Sequence, residues 1–195
     1  MPQNDKLVQA VQDIKEAINC LLEEKSCVYI AIDGRCGAGK STLAEALQRE
    51  LGCEVAHMDD FFLRPKQRTA ERLKKPGENV EHERFLTEVL IPYKKGEEFT
   101  YRPYDCHIQA LREPVRVVPG RVLVVEGAYS CHDTLRNLYD LHIFLDVEPR
   151  VQLERIAARN GTEATRRFEE LWIPLEEKYF AAFDVQKHCE LQFKL

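Results

Sequence analysis

The stretch Cys27-Val-Tyr-Ile-Ala-Ile-Asp33 runs straight into Gly34-Arg35-Cys36-Gly37-Ala38-Gly39-Lys40-Ser41-Thr42. A short β-branched apolar run of this kind reads as a buried strand. The segment after it fits G-x-x-x-x-G-K-[ST], and Ser41-Thr-Leu-Ala-Glu-Ala-Leu-Gln-Arg-Glu-Leu51 then reads as a helix, with Gly52 as its stop signal. Strand, glycine loop and helix in that order leave few folds open. The glycines let the backbone curl until several N–H groups face one centre, and the helix adds the positive end of its dipole. Gly34 to Thr42 are therefore expected to hold a nucleoside triphosphate, with Lys40 on the β- and γ-phosphates and Ser41 on Mg²⁺.

The rest of the chain supplies the architecture around that loop. Further strands are expected at 53–58, 121–127 and 140–146, with a last one at Cys189-Glu-Leu-Gln-Phe193. Helices are expected at 80–92, ending by Pro92, and from Glu148 to Asn160, with Pro149 at its start and Gly161 just past its end. Two more are expected at 162–172 and 174–188, and Trp172 reads as a core residue. This alternation predicts one α/β domain with three α/β/α layers and a mainly parallel five-stranded sheet. The segment from 59 to 115 breaks the alternation: a loop, the 80–92 helix and a hairpin or flap formed by 97–105 with 113–120. It is read as an acceptor-binding insertion over a rigid scaffold. Leu7, Val11, Ile14, Ile18 and Leu21 form one stripe of an N-terminal helix, suited to packing on the domain or to a homo-oligomer contact.

Bulk properties exclude several classes. A net charge of −5 over 195 residues argues against a nucleic-acid partner. Seven scattered cysteines without a C-x-x-C pair fit reduced thiols in a cytoplasmic protein. Neither a signal peptide nor a membrane span is expected.

What the triphosphate is used for depends on two carboxylate motifs. No N-K-x-D or T-K-x-D follows a later strand, so a guanine-reading switch is not indicated. The strand at 121–127 ends in a lone Glu126 before glycine, which can serve Mg²⁺ without a paired carboxylate to activate water. Asp59 and Asp60 follow the second strand, at the sheet edge where ligands bind in such folds. A carboxylate there can take a proton from an acceptor hydroxyl.

Taken together, GRCGAGKST, MDDFF, VEHERF, RPYD, VLVVEG and the arginine-bearing helix after IFLDVEP resemble the uridine kinase-like P-loop kinases. That group includes nicotinamide riboside kinases, phosphoribulokinases and pantothenate kinases. The resemblance implies transfer of the γ-phosphate of ATP, with Mg²⁺, to a hydroxyl of a small metabolite, with a nucleoside first among the acceptors. It places the base at Asp59 with Phe62 beside it in the acceptor site, the Mg²⁺-linked glutamate at Glu126 and the sugar-hydroxyl acid at Glu81, where many relatives have aspartate. Tyr104 and His107 fall in the base-reading hairpin, but His107 stands only two residues after Asp105, closer than the family's histidine. An arginine lid over about 155–172 is implied, with Arg155 and Arg159 on one helix face. Arg159 and Arg166, on either side of Gly161, are the arginines expected to act on the phosphates. Cys36, among the loop amides, reads first as a small side chain at a variable position, with a thiol of lowered pKa as the alternative.

Overall fold

The computed structural model describes residues 3–195. In chain order the helices are α1 (Gln3–Glu24), α2 (Lys40–Leu51), α3 (Ala70–Leu73), α4 (His82–Phe85), α5 (Ile91–Lys95), α6 (Asp133–Arg136), α7 (Pro149–Asn160), α8 (Thr162–Arg167) and α9 (Ile173–Ala182). The strands are β1 (Val28–Gly34), β2 (Glu54–His57), β3 (Phe99–Tyr101), β4 (Tyr104–Asp105), β5 (Ala110–Leu111), β6 (Val115–Val117), β7 (Val122–Glu126), β8 (Leu141–Asp146) and β9 (Leu191–Lys194).

Five strands form one sheet in the order β2-β7-β1-β8-β9, and every neighbouring pair is parallel. β1 lies in the middle, so its C-terminal end opens between β7 and β8. There the chain turns on Gly34, whose φ is 132°. A Cβ at this position would stand 2.1 Å from the Leu145 carbonyl oxygen of β8. Gly34→Ala is thus expected to pry the two strands apart and cost on the order of 3 kcal/mol or more. Thermal unfolding of the variant measures this.

One face of the sheet is covered by α1 and α2. Ala10, Val11, Ile14 and Ile18 of α1 are buried against Leu43, Ala44 and Leu47 of α2, with Leu7 and Leu21 at the margin. The N-terminal stripe is used for packing on the domain. The other face carries α9 and the segment after β2, around Phe61, Phe85, Tyr93, Phe144, Tyr179 and Phe180. Tyr93 ties that segment to the sheet: its hydroxyl donates to the Val122 carbonyl and accepts from the Gly120 N–H, both at 3.0 Å. Between Phe99 and Val117 the chain makes two nested antiparallel pairs, β3 with β6 and β4 with β5.

Two helix boundaries depart from expectation for one shared reason. The helix expected to stop by Pro92 runs on to Lys95, and the helices expected at 162–172 and 174–188 are one helical run from Thr162 to Ala182. A widened π turn precedes each proline, Leu86–Leu90 before Pro92 and Phe168–Trp172 before Pro174. The Ile91 N–H reaches the Leu86 carbonyl, and the Ile173 N–H reaches Phe168, five residues back in each case. Widening the turn by one residue moves aside the carbonyl a proline ring would strike, and it absorbs the missing N–H. The second run ends earlier than expected, at Ala182. Asp184 takes a positive φ of 47°, and a 3₁₀ turn over Val185–His188 leads to β9. Among the described residues no helix is long and apolar enough to cross a membrane.

Candidate active site

The loop after β1 is shaped by its glycines: Gly37 and Gly39 have φ of 74° and 100°. The first helical bond of α2 joins the Leu43 N–H to the Gly39 carbonyl at 3.0 Å. The amides of Lys40, Ser41 and Thr42 precede that bond and are free to serve an anion at the helix start. Lys40 is buried, and its ammonium donates to the carbonyls of Gly34 and Arg35 at 2.7 and 3.0 Å. Ala38 is buried beneath the turn.

Side chains from elsewhere hold the loop from behind. Arg35 turns away from the concave side and grips Glu177 of α9 at 2.6 and 3.0 Å and Asp146 of β8 at 2.5 Å. The Cys36 N–H donates to the buried Glu176 carboxylate at 2.9 Å. Gln152 and Arg155 of α7 donate to the carbonyls of Cys36 and Gly37, each at 3.0 Å. Beneath the loop, buried Asp33 accepts from the N–H groups of Gly34, Tyr129 and Cys131 and from the Tyr179 hydroxyl, at 2.7 to 3.2 Å. A cavity of about 380 Å³ flanks the loop, lined by Asn4, Leu7, Ala38, Gly39, Thr42 and Leu195.

Two carboxylates face this loop from neighbouring strands. Glu126, the last residue of β7, is buried, and the Ser41 hydroxyl lies 3.3 and 3.2 Å from its two oxygens. A hydroxyl and a carboxylate oxygen side by side suit a hard cation such as Mg²⁺. Asp59 sits in the 3₁₀ turn Met58–Phe61 directly after β2. Gly127 lets that turn come close: a Cβ there would lie 2.9 Å from the Met58 Cβ and 3.5 Å from an Asp59 oxygen. The Asp59 carboxyl is reached by solvent but walled by protein. Burial and then the Glu126 charge raise its pKa, while Lys40, Arg159 and His57 oppose the rise. Asp60 points to Tyr101, whose hydroxyl donates to it at 3.0 Å.

His57 is a member of this group that the motifs did not reveal. It pairs with Glu126 in the β2–β7 register, and its Nδ1 lies 2.6 Å from that carboxylate. The hydrogen bond to Glu126 raises its pKa against the effect of burial, with the Glu126 charge adding to the rise. The strand order was the missing signal. Once β2 is known to lie beside β7, the residue next to Glu126 is fixed.

These features agree with the comparisons. The model of the phosphoribulokinase/uridine kinase family matches residues 29–172. The chain belongs to this family. A uridine kinase-like protein 5 from Arabidopsis thaliana is 27% identical over 186 residues, spanning 85% of this chain but 38% of that protein. A uridine kinase from Geobacillus kaustophilus is 27% identical over 157 residues, spanning 74% of this chain and 72% of that protein. A phosphoribulokinase from a Synechocystis strain is 26% identical over 149 residues, spanning 74% of this chain and 45% of that protein. Among solved structures, one described as a possible uridine kinase from Bacillus stearothermophilus superposes with a TM-score of 0.68, at 18% identity and covering 99% of this chain and 100% of that one. At that identity the likeness speaks for the P-loop kinase fold alone.

In this member of the phosphoribulokinase/uridine kinase family, the residues suggested for the acceptor are spread over several environments. Glu81, just before α4, is buried and held by three side-chain donors. Arg64 and Gln67 donate to one oxygen at 2.8 and 2.6 Å, and Arg84 donates to the other at 3.1 Å. Arg84 also lies over the Phe61 ring at 4.2 Å and donates to the Asp60 carbonyl. Phe62 is half-buried and bridges to Val80. Tyr104 is buried in its hairpin. His107 is exposed at the hairpin tip, and its N–H donates to the Asp105 carboxylate at 2.8 Å, so Asp105 is spent on closing the turn.

The arginines after β8 separate. Arg155 reaches the loop and the Leu195 carbonyl, at 3.0 Å each. The charge of Arg159 is felt at Asp59, and its Nε donates to the Asn160 amide oxygen at 2.8 Å. Arg166 is exposed and ion-paired with Glu170 at 2.8 Å, one turn along its own helix. Trp172 is not a core residue. It is half-buried between the guanidinium groups of Arg68 and Arg167, each 5.6 Å from its ring, because the π turn carries it to the rim.

At Cys36 the alternative of a lowered pKa is not supported. Burial, then the adjacent Glu176 charge, push its thiol up to about 12, and Lys40 offsets only part of this. A thiol with such a pKa stays protonated at pH 8 and is a poor nucleophile. At that pH iodoacetamide is expected to label exposed Cys20 and leave Cys36 unmodified, read by peptide mass spectrometry of the folded protein.

Proposed function

We propose that this chain transfers the γ-phosphate of ATP to a hydroxyl of a small metabolite. The reading is supported above all by one juxtaposition. Asp59 stands at the sheet edge next to the glycine loop, and its carboxyl feels the charges of both Glu126 and Lys40. A module that only binds nucleotide has no use for a carboxylate there. In this reading the amides from Gly37 to Thr42 and the Lys40 ammonium hold the triphosphate, with Arg35, Cys36 and Gly34 shaping the curve. Ser41 and Glu126 hold Mg²⁺, which when bound neutralises charge on the β- and γ-phosphate oxygens. Asp59 orients the acceptor hydroxyl and accepts its proton. Arg159 and, after leaving Glu170, Arg166 screen the transferring group and exclude water. Residues 59–115 act as the acceptor-binding insertion and about 155–172 as the lid.

A nucleoside is the first acceptor to test, because several of the relatives at 26–27% identity are named uridine kinase. One observation favours a second reading, a sugar phosphate or an acidic acceptor. Glu81 already accepts from Arg64, Gln67 and Arg84, which leaves one lone-pair position and no two-oxygen grip on a ribose diol. ATP consumption is measured with and without a panel of nucleosides, nicotinamide riboside, pantothenate and sugar phosphates. Turnover that appears only with one acceptor supports kinase activity and names the acceptor. A hydrolysis rate indifferent to every acceptor would overturn the reading.

A further inference from the structure

Residues with no part in the phosphoryl transfer above form a second cluster of donors. Glu78, His82 and His132 each direct one ligand-type atom to a common point, and the three atoms lie within 4.8 Å of one another. His82 and His132 are buried, and their rings stack with centroids 4.1 Å apart. Glu78 is at the rim, with about a fifth of its side chain exposed.

The hydrogen bonds around the rings are unusual for a histidine pair that serves only packing. The Thr134 hydroxyl lies 2.9 Å from Nδ1 of His132 and 3.1 Å from Nδ1 of His82. One hydroxyl oxygen has two lone pairs and can accept from both rings at once. At His82 this places the proton on Nδ1 and leaves Nε2 with a free lone pair, the tautomer a metal-binding histidine needs. At His132 the Thr134 N–H also donates to Nδ1, at 3.3 Å, so a metal at Nε2 would require that capping bond to give way to an Nδ1 proton. The His82 Nε2 faces Glu78 Oε1 at 3.3 Å and Glu83 Oε1 at 3.8 Å. The His132 Nε2 is buried and has no hydrogen-bond partner. Gly77 keeps the space beside it open: a Cβ there would stand 2.7 Å from the His132 ring carbon and 3.0 Å from Nε2. Arg72 lies beside the other oxygen of each glutamate: its Nη2 donates to Glu83 at 2.8 Å, and its Nε is 2.9 Å from Glu78 as an ion pair without a hydrogen bond.

We propose that Glu78, His82 and His132 form a binding site for a transition-metal ion of zinc-like preference, with Glu83 or water as the fourth ligand. Two imidazole nitrogens and carboxylate oxygens suit zinc better than Mg²⁺. Zinc–nitrogen bonds of about 2.0–2.1 Å put tetrahedral donors about 3.4 Å apart. An ion would therefore draw the three groups inward and tilt the two rings out of their stack. It would also join the insertion, through residues 78 and 82, to the loop after β7, through residue 132.

The test is a calorimetric titration of the full chain with Zn²⁺ in saturating Mg²⁺, repeated with Co²⁺ to read its visible ligand-field bands. One equivalent is expected to bind, with Co²⁺ bands of a four-coordinate nitrogen/oxygen site. His132→Ala and His82→Ala should abolish this binding. Thr134→Val, which keeps every ligand, should weaken it about 10–100-fold. His57→Ala, at a separate histidine–carboxylate contact, should leave it unchanged. Should either alanine variant fail to fold by circular dichroism, Glu78→Gln at the rim takes its place, with at least about tenfold weaker binding expected. The proposal is overturned by no stoichiometric binding, by binding lost in His57→Ala, or by wild-type affinity in Glu78→Gln and Thr134→Val.

Discussion

Asp59→Asn is expected to lower kcat on the order of 10²–10⁴-fold while leaving ATP binding nearly intact. The amide keeps the size of the carboxylate, and Gly127 leaves room for it beside Met58. What disappears is the capacity to take the acceptor's proton and the negative charge that orients the hydroxyl. Stopped-time product assays give kcat, and a fluorescent ATP analogue gives the affinity. A variant with full turnover would remove Asp59 from the chemistry. The wild-type enzyme carries a related signature. Asp59 must be ionised to act, and burial with the Glu126 charge raises its pKa. The rate is therefore expected to fall on acidification at a pH above the ordinary aspartate value, and this limb should be absent from the residual activity of Asp59→Asn.

Lys40→Ala is the second large effect expected. The Lys40 ammonium is held by two loop carbonyls close to where the phosphates are proposed to lie. Its loss removes a positive charge from a secluded site and leaves the Gly34 and Arg35 carbonyls without that donor. A drop on the order of 10²–10³ in kcat is expected, comparable to removal of one preorganised donor elsewhere, together with a higher KM for ATP. Circular dichroism and thermal unfolding separate this from a folding defect. Wild-type turnover in Lys40→Ala would contradict the role given to the loop.

The parts of the molecule legible in the sequence are those governed by local rules. The loop needs glycines at positive φ and a helix start, and both are written in adjacent residues. The strands of the parallel sheet are apolar runs between helices, and the stripe of α1 repeats at helical spacing. Asp59 and Glu126 could be placed at the loop's edge of the sheet because each stands at or just past the end of a strand. The illegible parts depend on which distant elements become neighbours. His57 meets Glu126 only because β2 lies beside β7. The Cys36 thiol is pushed up by burial and then by the charge of Glu176, 140 positions away, neither of which is written in the neighbouring residues. The prolines misled because their local rule is to stop a helix, and a π turn upstream suspends that rule at Pro92 and Pro174 alike. Trp172 was misplaced for the same reason.

The continuous helical run from Thr162 to Ala182 has a mechanical consequence. Arg166 and Arg167 sit on one arm, Glu176 and Glu177 on the other, and the π turn at Phe168–Trp172 lies between them. The second arm is clamped to the nucleotide loop through Arg35 and the Cys36 amide. This is a lever with its fulcrum at the widened turn. In the proposed closure, an inward swing of the arginine arm would load the clamp, and reshaping of the loop around a triphosphate would push back on the arm. By thermodynamic reciprocity, whatever free energy the loop gains from the closed arm, the arm gains from the filled loop.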